Sequence, residues 1–281
     1  MTRIITVANQ KGGVGKTTST VNIAAAIAQA GHTVLVIDMD PQGNASTALG
    51  ATHHEGTPSV YEVLSGDLGL VDVIQECPDI RGLWTAPATI DLAGAEIELV
   101  AQVAREYRLS RAVDAMLATR PVDYVILDCP PSLGLLTLNG LVAAREVLLP
   151  IQCEYYALEG LSQLLRTVDM VRTHLNPGLA VSAILLTMYD GRTRLASQVA
   201  DEVRTHFGAQ VLQTVIPRSV RVSEAPSYSQ TVVTYDPTSS VSRGDGMSSL
   251  VGSPSLGIRC ERDGNGSRFA HFVFANSTGS L

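Results

Sequence analysis

The strongest constraint on this chain is a glycine-rich loop that separates a strand pattern from a helical one. The loop reads KGGVGKTT from Lys11 to Thr18. Mostly apolar residues at 4–8 predict a buried strand before it, and the small apolar residues of 16–30 predict a helix packed on a sheet after it. Glycines in such a loop let backbone N–H groups turn onto an anion, and the helix N-terminus adds its positive dipole end. The loop therefore predicts a phosphate-binding site.

Two lysines in this loop suit nucleotide chemistry. Of the 20 basic residues only Lys11 and Lys16 are lysines, and every other one is an arginine. The use of lysine at these two positions indicates that the loop requires a compact ammonium in place of a planar guanidinium. The alternative is that the two lysines occur there by chance. Lys16 would reach the terminal phosphates of ATP, and the Thr17 hydroxyl would ligate Mg²⁺. The usual pattern has glycine where Gln10 stands, so the loop is a variant in which Lys11 adds a cation.

Acidic residues at strand ends supply the other parts of the predicted site. Asp128 closes a hydrophobic strand and fits the carboxylate that holds Mg²⁺ through water. Asp38 and Asp40 end the neighbouring strand, and we assign Asp38 to the metal shell and Asp40 to orientation of the attacking water. The alternatives are strand-end capping for the aspartates and a tight turn that binds nothing for the loop. The ATP-binding residues that the loop predicts are Lys11, Gly12, Gly13, Val14, Gly15, Lys16, Thr17 and Thr18.

The rest of the chain alternates strand and helix patterns. Residues 33–37 are mostly branched apolar residues, as in strands that are buried on both faces of a parallel sheet. Further strands are predicted at 82–85, 124–127, 147–150, 181–186 and 211–215, and helices at 93–118, 158–174 and 196–207. Repeated β-α units predict an α/β fold, doubly wound, with a mostly parallel sheet and helices on both faces. Ligands of such folds bind at the carboxyl ends of the strands.

Composition excludes several classes of protein. The 281 residues are 45% hydrophobic and 17% charged, which allows a sizeable core. The longest apolar runs, such as 179–188, fall well short of the roughly twenty residues that span a bilayer, so we expect no stable membrane association. The wide spacing of the cysteines predicts reduced thiols in a cytoplasmic protein, without a zinc site or a disulfide framework. These cysteines are Cys77, Cys129, Cys153 and Cys260.

Seven segments of the sequence carry a resemblance to a known family. They are KGGVGKTT at 11–18, DMDPQGNAS at 38–46, LAGAEIEL at 92–99, ILDCPPSLGLLT at 126–137, QCEYYALEGLSQL at 152–164, LLTMYDGRT at 185–193 and VIPRSVRVSEAPS at 215–227. The chain resembles the ParA/Soj family of chromosome and plasmid partitioning ATPases. That family is part of the deviant Walker A group of P-loop NTPases, which includes MinD. The resemblance runs from about residue 2 to Pro237.

The resemblance implies an ATP-driven switch. Members dimerise on ATP, which implies that Lys11 reaches the ATP of the second subunit, that Lys16 binds in cis and that Asp40 supports slow hydrolysis. It also implies that Pro217 contacts ATP. A ParB-type centromere-binding protein would stimulate hydrolysis and release the dimer from non-specific double-stranded DNA, serving chromosome or plasmid segregation on the nucleoid. The arginines at the matching DNA-binding places are Arg192, Arg218 and Arg221.

The charge balance opposes part of this implication. A formal net charge of -7 argues against DNA binding by a single chain, because non-specific affinity comes from neutralising phosphates. A local basic patch that is doubled by dimerisation would overcome this repulsion. The alternative is that the three arginines are ordinary solvated loop charges.

The resemblance ends at Pro237. We predict a P-loop ATPase domain over 1–237 and a disordered tail over 238–281, where ten serines and seven glycines occur. The family instead closes with an amphipathic helix, and the loss of that helix would affect the core, the dimer rim or the DNA-binding face. A frameshift in the coding sequence or a lineage-specific tail would each produce this break.

Two other functional classes stay open from the residues. A membrane-associated MinD-like ATPase would need a C-terminal amphipathic membrane helix. The second class is an ATP-dependent metabolic enzyme or an iron–sulfur reductase on the same scaffold, and the metabolic enzyme would act on a small carboxylate or amide. An iron–sulfur reductase would need bridging cysteines, which Cys129 and Cys153 do not supply.

Overall fold

An eight-stranded sheet organises the chain in the computed structural model, which describes residues 1–154, 157–239, 242, 259–262 and 268–271. The strand order is β3-β4-β2-β5-β1-β6-β7-β8. Every neighbouring pair is parallel except β3 and β4, which are antiparallel. The strands are β1 Arg3–Val7, β2 Val34–Asp38, β3 Gln75–Glu76, β4 Leu83–Ala86, β5 Tyr124–Asp128, β6 Glu146–Gln152, β7 Ala180–Tyr189 and β8 Val211–Pro217.

Helices cover both faces of the sheet. They are α1 Lys16–Gln29, α2 Asn44–Ala48, α3 Val60–Ser65, α4 Leu70–Val73, α5 Leu92–Glu98, α6 Arg108–Thr119, α7 Leu135–Ala143, α8 Ala157–His174, α9 Arg194–Phe207, α10 Val220–Glu224 and α11 Val232–Tyr235. Short 3₁₀ turns lie at Leu99–Ala101, Arg105–Tyr107, Gly208–Gln210 and Ala225–Tyr228. The predicted α/β, doubly wound fold is confirmed.

The central strands are apolar on both sides because each face meets its own layer of helices. Along β5, Val125 and Leu127 pack into the core cluster that includes residues of α3 to α9. Tyr124 and Ile126 point the other way, into the cluster of α1, α2 and α11. All five residues of β5 are buried. A strand buried on both faces needs apolar residues at every position, which explains the continuous apolar pattern in the sequence.

One long helix predicted at 93–118 is wrong, because the structure divides it into α5, two 3₁₀ turns and α6. Gln102 is extended and Ala104 adopts a left-handed conformation with φ 52°, which no α-helix can continue through. The buried side chain of Asn139 fixes this break: Nδ2 donates to the carbonyl of Arg105 and Oδ1 accepts from the backbone N–H of Leu109. Asn139 lies on α7, 30 and 34 positions along the chain from these two contacts.

Helix α7 itself was not predicted. Its sequence LLTLNGLVA is apolar on nearly all sides, and seven of its nine residues are buried. Periodicity analysis relies on a contrast between an apolar and a polar face, and a helix buried all round lacks that contrast.

The predicted tail lies largely outside the described residues. Two short strands within it, β9 Arg259–Arg262 and β10 Arg268–His271, pair antiparallel in a separate sheet. The boundary at residue 237 and the disorder of the tail stay predictions. In the part of the chain that the structure describes, no helix is long and apolar enough to cross a membrane.

Candidate functional site

The predicted acidic residues lie together at the carboxyl edge of the sheet. In the register of the parallel strands, Asp38 at the end of β2 is opposite Asp128 at the end of β5, and Val7 of β1 is the other neighbour of Asp128. Both carboxylates are fully buried. The glycine-rich loop leaves β1 at the same edge, so the sheet itself brings the loop and the two aspartates together.

Glycines give the phosphate loop its backbone conformation. Gly13 and Gly15 have φ values of 73° and 87°, in the left-handed region that favours glycine. Helix α1 then begins at Lys16 with no side-chain cap and no acidic residue in its first turn. The first N–H groups of a helix have no intrahelical partner, so this end of α1 can bind an anion.

Lys16 is buried behind the loop. Its Nζ lies 3.3 Å from the carbonyl oxygen of Lys11. Burial lowers the pKa of Lys16, while the nearby charges of Asp128 and Asp40 work against that shift. The side chain is therefore a cation held next to carboxylates, where phosphate oxygens would add favourable contacts.

Asp128 has one oxygen available to a metal. Oδ1 accepts from the Thr20 hydroxyl at 3.0 Å. Oδ2 is buried and has no hydrogen-bond partner among the described residues. Burial raises the pKa of Asp128, the charge of Asp38 raises it further, and the Thr17 and Thr20 hydroxyl groups oppose the rise. A buried carboxylate oxygen that lacks a donor fits a cation.

Asp38 is already bonded to the chain. Its Oδ2 accepts from the backbone N–H and hydroxyl of Ser46, at 2.8 and 2.7 Å, and its Oδ1 accepts from the N–H of Asp40 at 3.1 Å. Burial raises the pKa of Asp38. The carboxylate thus organises the turn that carries Asp40, and its assignment to the metal shell stays a prediction.

An open cavity of about 510 Å³ lies in front of the loop. Asp40 is on its wall, and the Asp40 Oδ1 also accepts from the N–H of Gln42 at 3.0 Å. Among the predicted ATP-binding residues, those that line the cavity are Gly12, Gly13, Gly15, Lys16, Thr17 and Thr18.

The remaining predicted ATP-binding residues lie elsewhere. Val14 is buried under the loop, where its carbonyl oxygen accepts from the Thr187 hydroxyl at 2.8 Å. Pro217 lines a neighbouring cavity of about 240 Å³. The Lys11 ammonium is outside both cavities and 2.8 Å from Oε2 of Glu154, with 44% of the Lys11 side chain exposed.

Part of the cavity wall was missed in the sequence. It includes the segment that leads to α11, which is anchored to α1 where the buried Asn22 Oδ1 accepts from the backbone N–H of Val232 at 2.7 Å. No local motif marks this contact, since the two residues are 210 positions apart. The wall residues that were not predicted are Val21, Asn22, Gln42, Asn44, Thr47, Ala48, Pro131, Met188, Val222, Ala225, Pro226, Gln230 and Val232.

The three predicted DNA-binding arginines lie on loops beyond β7 and β8 and on α10, and each is exposed. Arg192 pairs with Asp190 through two contacts, at 2.9 and 2.8 Å. Arg218 is close enough to the same carboxylate to lower its pKa. Arg221 lies between Glu224 and Asp236, at 3.2 and 3.6 Å.

Comparisons with known proteins agree with this geometry. A family model described as an AAA domain matches residues 2–181. The sporulation initiation inhibitor protein Soj of Bacillus subtilis (strain 168) is 52% identical over 239 residues, covering 85% of this chain and 93% of that protein. The chromosome partitioning protein ParA of Myxococcus xanthus is 52% identical over 234 residues, covering 83% of this chain and 82% of that protein.

A solved structure extends the likeness to the coordinates. The crystal structure described as cobyrinic acid a,c-diamide synthase from Mycobacterium smegmatis, with bound ADP and magnesium, matches with a TM-score of 0.72 and 41% identity. The match covers 85% of this chain and 96% of that one. By its glycine-rich loop, its paired strand-end aspartates and these relatives, the chain belongs to the ParA/Soj family of chromosome-partitioning P-loop ATPases.

Proposed function

We propose that this protein is an ATP-switched DNA-partitioning ATPase that dimerises on ATP, binds DNA without sequence preference and is released by hydrolysis. One observation carries the proposal. The loop that holds Arg218 borders the same 240 Å³ cavity as Gly15 and Thr18 of the phosphate loop, directly beside the 510 Å³ cavity. A nucleotide bound at the phosphate loop would therefore lie next to the loop that carries Arg218.

The residues at the sheet edge fit Mg²⁺ and ATP. Thr17 and the free Oδ2 of Asp128 would hold the metal, with Asp38 in its outer shell. Protein sites commonly hold Mg²⁺ with one or two carboxylates plus water and substrate phosphates, and when bound it neutralises charge on the phosphates. Lys16 and the loop N–H groups bind and orient the phosphates, and Asp40 positions the attacking water.

The assignment of Asp40 predicts a separation of binding from turnover. Asp40→Ala and Asp40→Asn should keep ATP binding and lower hydrolysis by at least about 100-fold, because a positioned carboxylate contributes that much to proton transfer. Phosphate release and nucleotide titration measure the two properties. The Asn variant keeps an acceptor for the N–H of Gln42, so it serves as the structural control. Unchanged hydrolysis in both variants would remove Asp40 from this role.

DNA binding should follow the nucleotide state. Pairing two weak basic patches in an ATP dimer roughly doubles the neutralised phosphates, so affinity for duplex DNA should rise and its salt slope should steepen by about 0.9 per added phosphate contact. Arg192→Ala and Arg221→Ala should weaken binding to all duplex sequences about equally and leave the ATP dimer intact. Fluorescence anisotropy across a salt series with ATP, ADP and no nucleotide checks both expectations. A DNA affinity and a salt slope that do not change when ATP is added would refute the nucleotide-dependent switch.

The remaining parts of the proposal concern the location of the protein in the cell and its protein partner. A ParB-type protein would stimulate the slow hydrolysis, and the acidic balance of the chain suits a cationic partner segment. The ATP dimer would be located on the nucleoid, with residues 1–237 as the ATPase domain. Titration of a cognate ParB-type peptide into an ATPase assay with DNA present should raise the rate, and a flat response would argue against this partner.

A second candidate function is suggested by the 41% identical crystal structure, which is described as that of a diamide synthase. Relatives that are 52% identical are named as Soj and ParA proteins, which favours partitioning. ATP hydrolysis that depends on a small carboxylate and an amide-nitrogen donor, instead of DNA and a protein partner, would favour the synthase.

A further inference from the structure

The proposed DNA-binding surface contains carboxylates in direct contact with its arginines. Asp190 contacts Arg192 with both oxygens: Oδ1 accepts from Nε at 2.9 Å and Oδ2 accepts from Nη2 at 2.8 Å. The Arg192 side chain is nevertheless 90% exposed, and that of Asp190 is 28% exposed. The guanidinium is thus accessible to a ligand while a carboxylate neutralises it.

Asp190 contacts one arginine and feels the charge of a second. Hydrogen bonds from the side chain and backbone of Arg192, together with the charges of Arg192 and Arg218, lower the pKa of Asp190 to about 2. The carboxylate is therefore ionised at neutral pH. It begins the loop after β7, and the loop after β8 is next to it, where the backbone N–H of Arg218 donates to the carbonyl of Tyr189 at 3.3 Å.

We propose that Asp190 is a built-in brake on polyanion binding, which competes with DNA phosphates for Arg192 and Arg218 and so sets the affinity and salt dependence of the surface. This inference rests on the proposed DNA-binding function and adds its regulation. The bidentate geometry is the one in which arginine also binds phosphate, so the two anions compete for the same donors.

The competition has a definite physical consequence. Non-specific affinity comes from neutralising phosphates and releasing their counterions. A guanidinium that already has a carboxylate partner adds little net charge to the surface, and a phosphate either displaces that carboxylate or binds beside it. Binding by this chain should therefore be weaker than three arginines per protomer would give. Because one protomer binds DNA weakly, firm binding would require a dimer, which presents the surface twice.

The test is Asp190→Asn, which removes the charge and keeps the shape. Asparagine retains an oxygen that can accept from the backbone N–H of Arg192, a contact of 3.1 Å that shapes the turn. With ATP present and a fluorescein-labelled random-sequence duplex as the probe, affinity should rise about two- to fivefold per protomer, which is the range of an exposed ion pair. The salt slope should steepen by about 0.9 for each arginine released.

Two controls separate the brake from a general change in charge. Asp169→Asn makes the same change at an exposed ion pair on α8, where Asp169 contacts Arg172 at 2.9 Å, and should raise affinity much less. In an Arg192→Ala background, Asp190→Asn should lose a large part of its effect, because its main partner is gone.

The possible outcomes distinguish this inference from the function on which it rests. If the wild type binds DNA and Asp190→Asn binds no tighter than Asp169→Asn, the brake is refuted and the DNA-binding function stands. A lower affinity of Asp190→Asn would mean that the carboxylate orients Arg192 for phosphate, which also overturns the brake. If neither the wild type nor the variant binds the duplex in any nucleotide state, both proposals fail.

Discussion

Lys16→Ala should abolish ATP binding, with a rise in Kd of at least about 100-fold, or ~3 kcal/mol. Lys16 is the buried cation of the loop, and Asp128 and Asp40 lie near it. Without the ammonium, the phosphates of ATP would enter a site whose nearest side-chain charges are negative. Isothermal titration calorimetry with a non-hydrolysable ATP analogue measures the change.

The control for this experiment is the folding of the apo variant. The Lys16 ammonium makes one long hydrogen bond to the Lys11 carbonyl, so its loss should leave the circular dichroism spectrum and the thermal transition of the apo protein close to those of the wild type. ATP should raise the Tm of the wild type and leave that of the variant unchanged, because only a ligand that binds the folded state stabilises it. An ATP-dependent rise in the Tm of Lys16→Ala would contradict the assignment.

Lys11→Ala should give the second large effect, a protein that binds ATP and stays monomeric. The Lys11 side chain lies outside the nucleotide cavity and is 44% exposed, in contrast to the buried Lys16. If its ammonium acts on the nucleotide of a second subunit, the ATP affinity of the monomer should change little while the ATP dimer disappears. Light scattering with ATP and with ADP measures the mass.

A matched variant tests whether the ion pair of Lys11 matters in this process. Glu154→Gln removes the carboxylate partner at 2.8 Å and keeps Lys11. It should retain the ATP dimer, because an exposed ion pair contributes at most about 1 kcal/mol. Lys11→Arg should dimerise poorly, since the planar guanidinium replaces a compact charge. An ATP dimer of normal stability in Lys11→Ala would exclude action across the interface.

The sheet and the phosphate loop could be predicted because their signals are local. Continuous apolar runs at β2 and β5 predict strands buried on both faces, and parallel strands bring their carboxyl ends to one edge. The convergence of Asp38 and Asp128 follows from that geometry alone. The glycines of the loop predict a phosphate-binding turn for the same local reason, and Gly13 and Gly15 adopt left-handed conformations that glycine reaches without strain.

The parts that were missed depend on contacts between distant residues. The break between α5 and α6 is fixed by Asn139 on α7, and the far wall of the cavity is fixed by the bond from Val232 to Asn22. Neither pair is visible to a window of neighbouring residues. The hydrogen bonds that occupy both oxygens of Asp38 were missed for the same reason, as Ser46 reaches that carboxylate only after the turn has formed.

The unequal burial of the two lysines also allows the amine of Lys11 to be labelled selectively. Lys11 is half exposed, Lys16 is enclosed, and all other basic residues are arginines, which amine-acylating reagents leave untouched. Brief acylation would therefore mark Lys11 and leave Lys16 largely unmodified. Mass spectrometry of the peptide around Lys11 then reports, in the wild-type sequence, whether that amine was exposed or covered, and so follows assembly without a mutation or a dye.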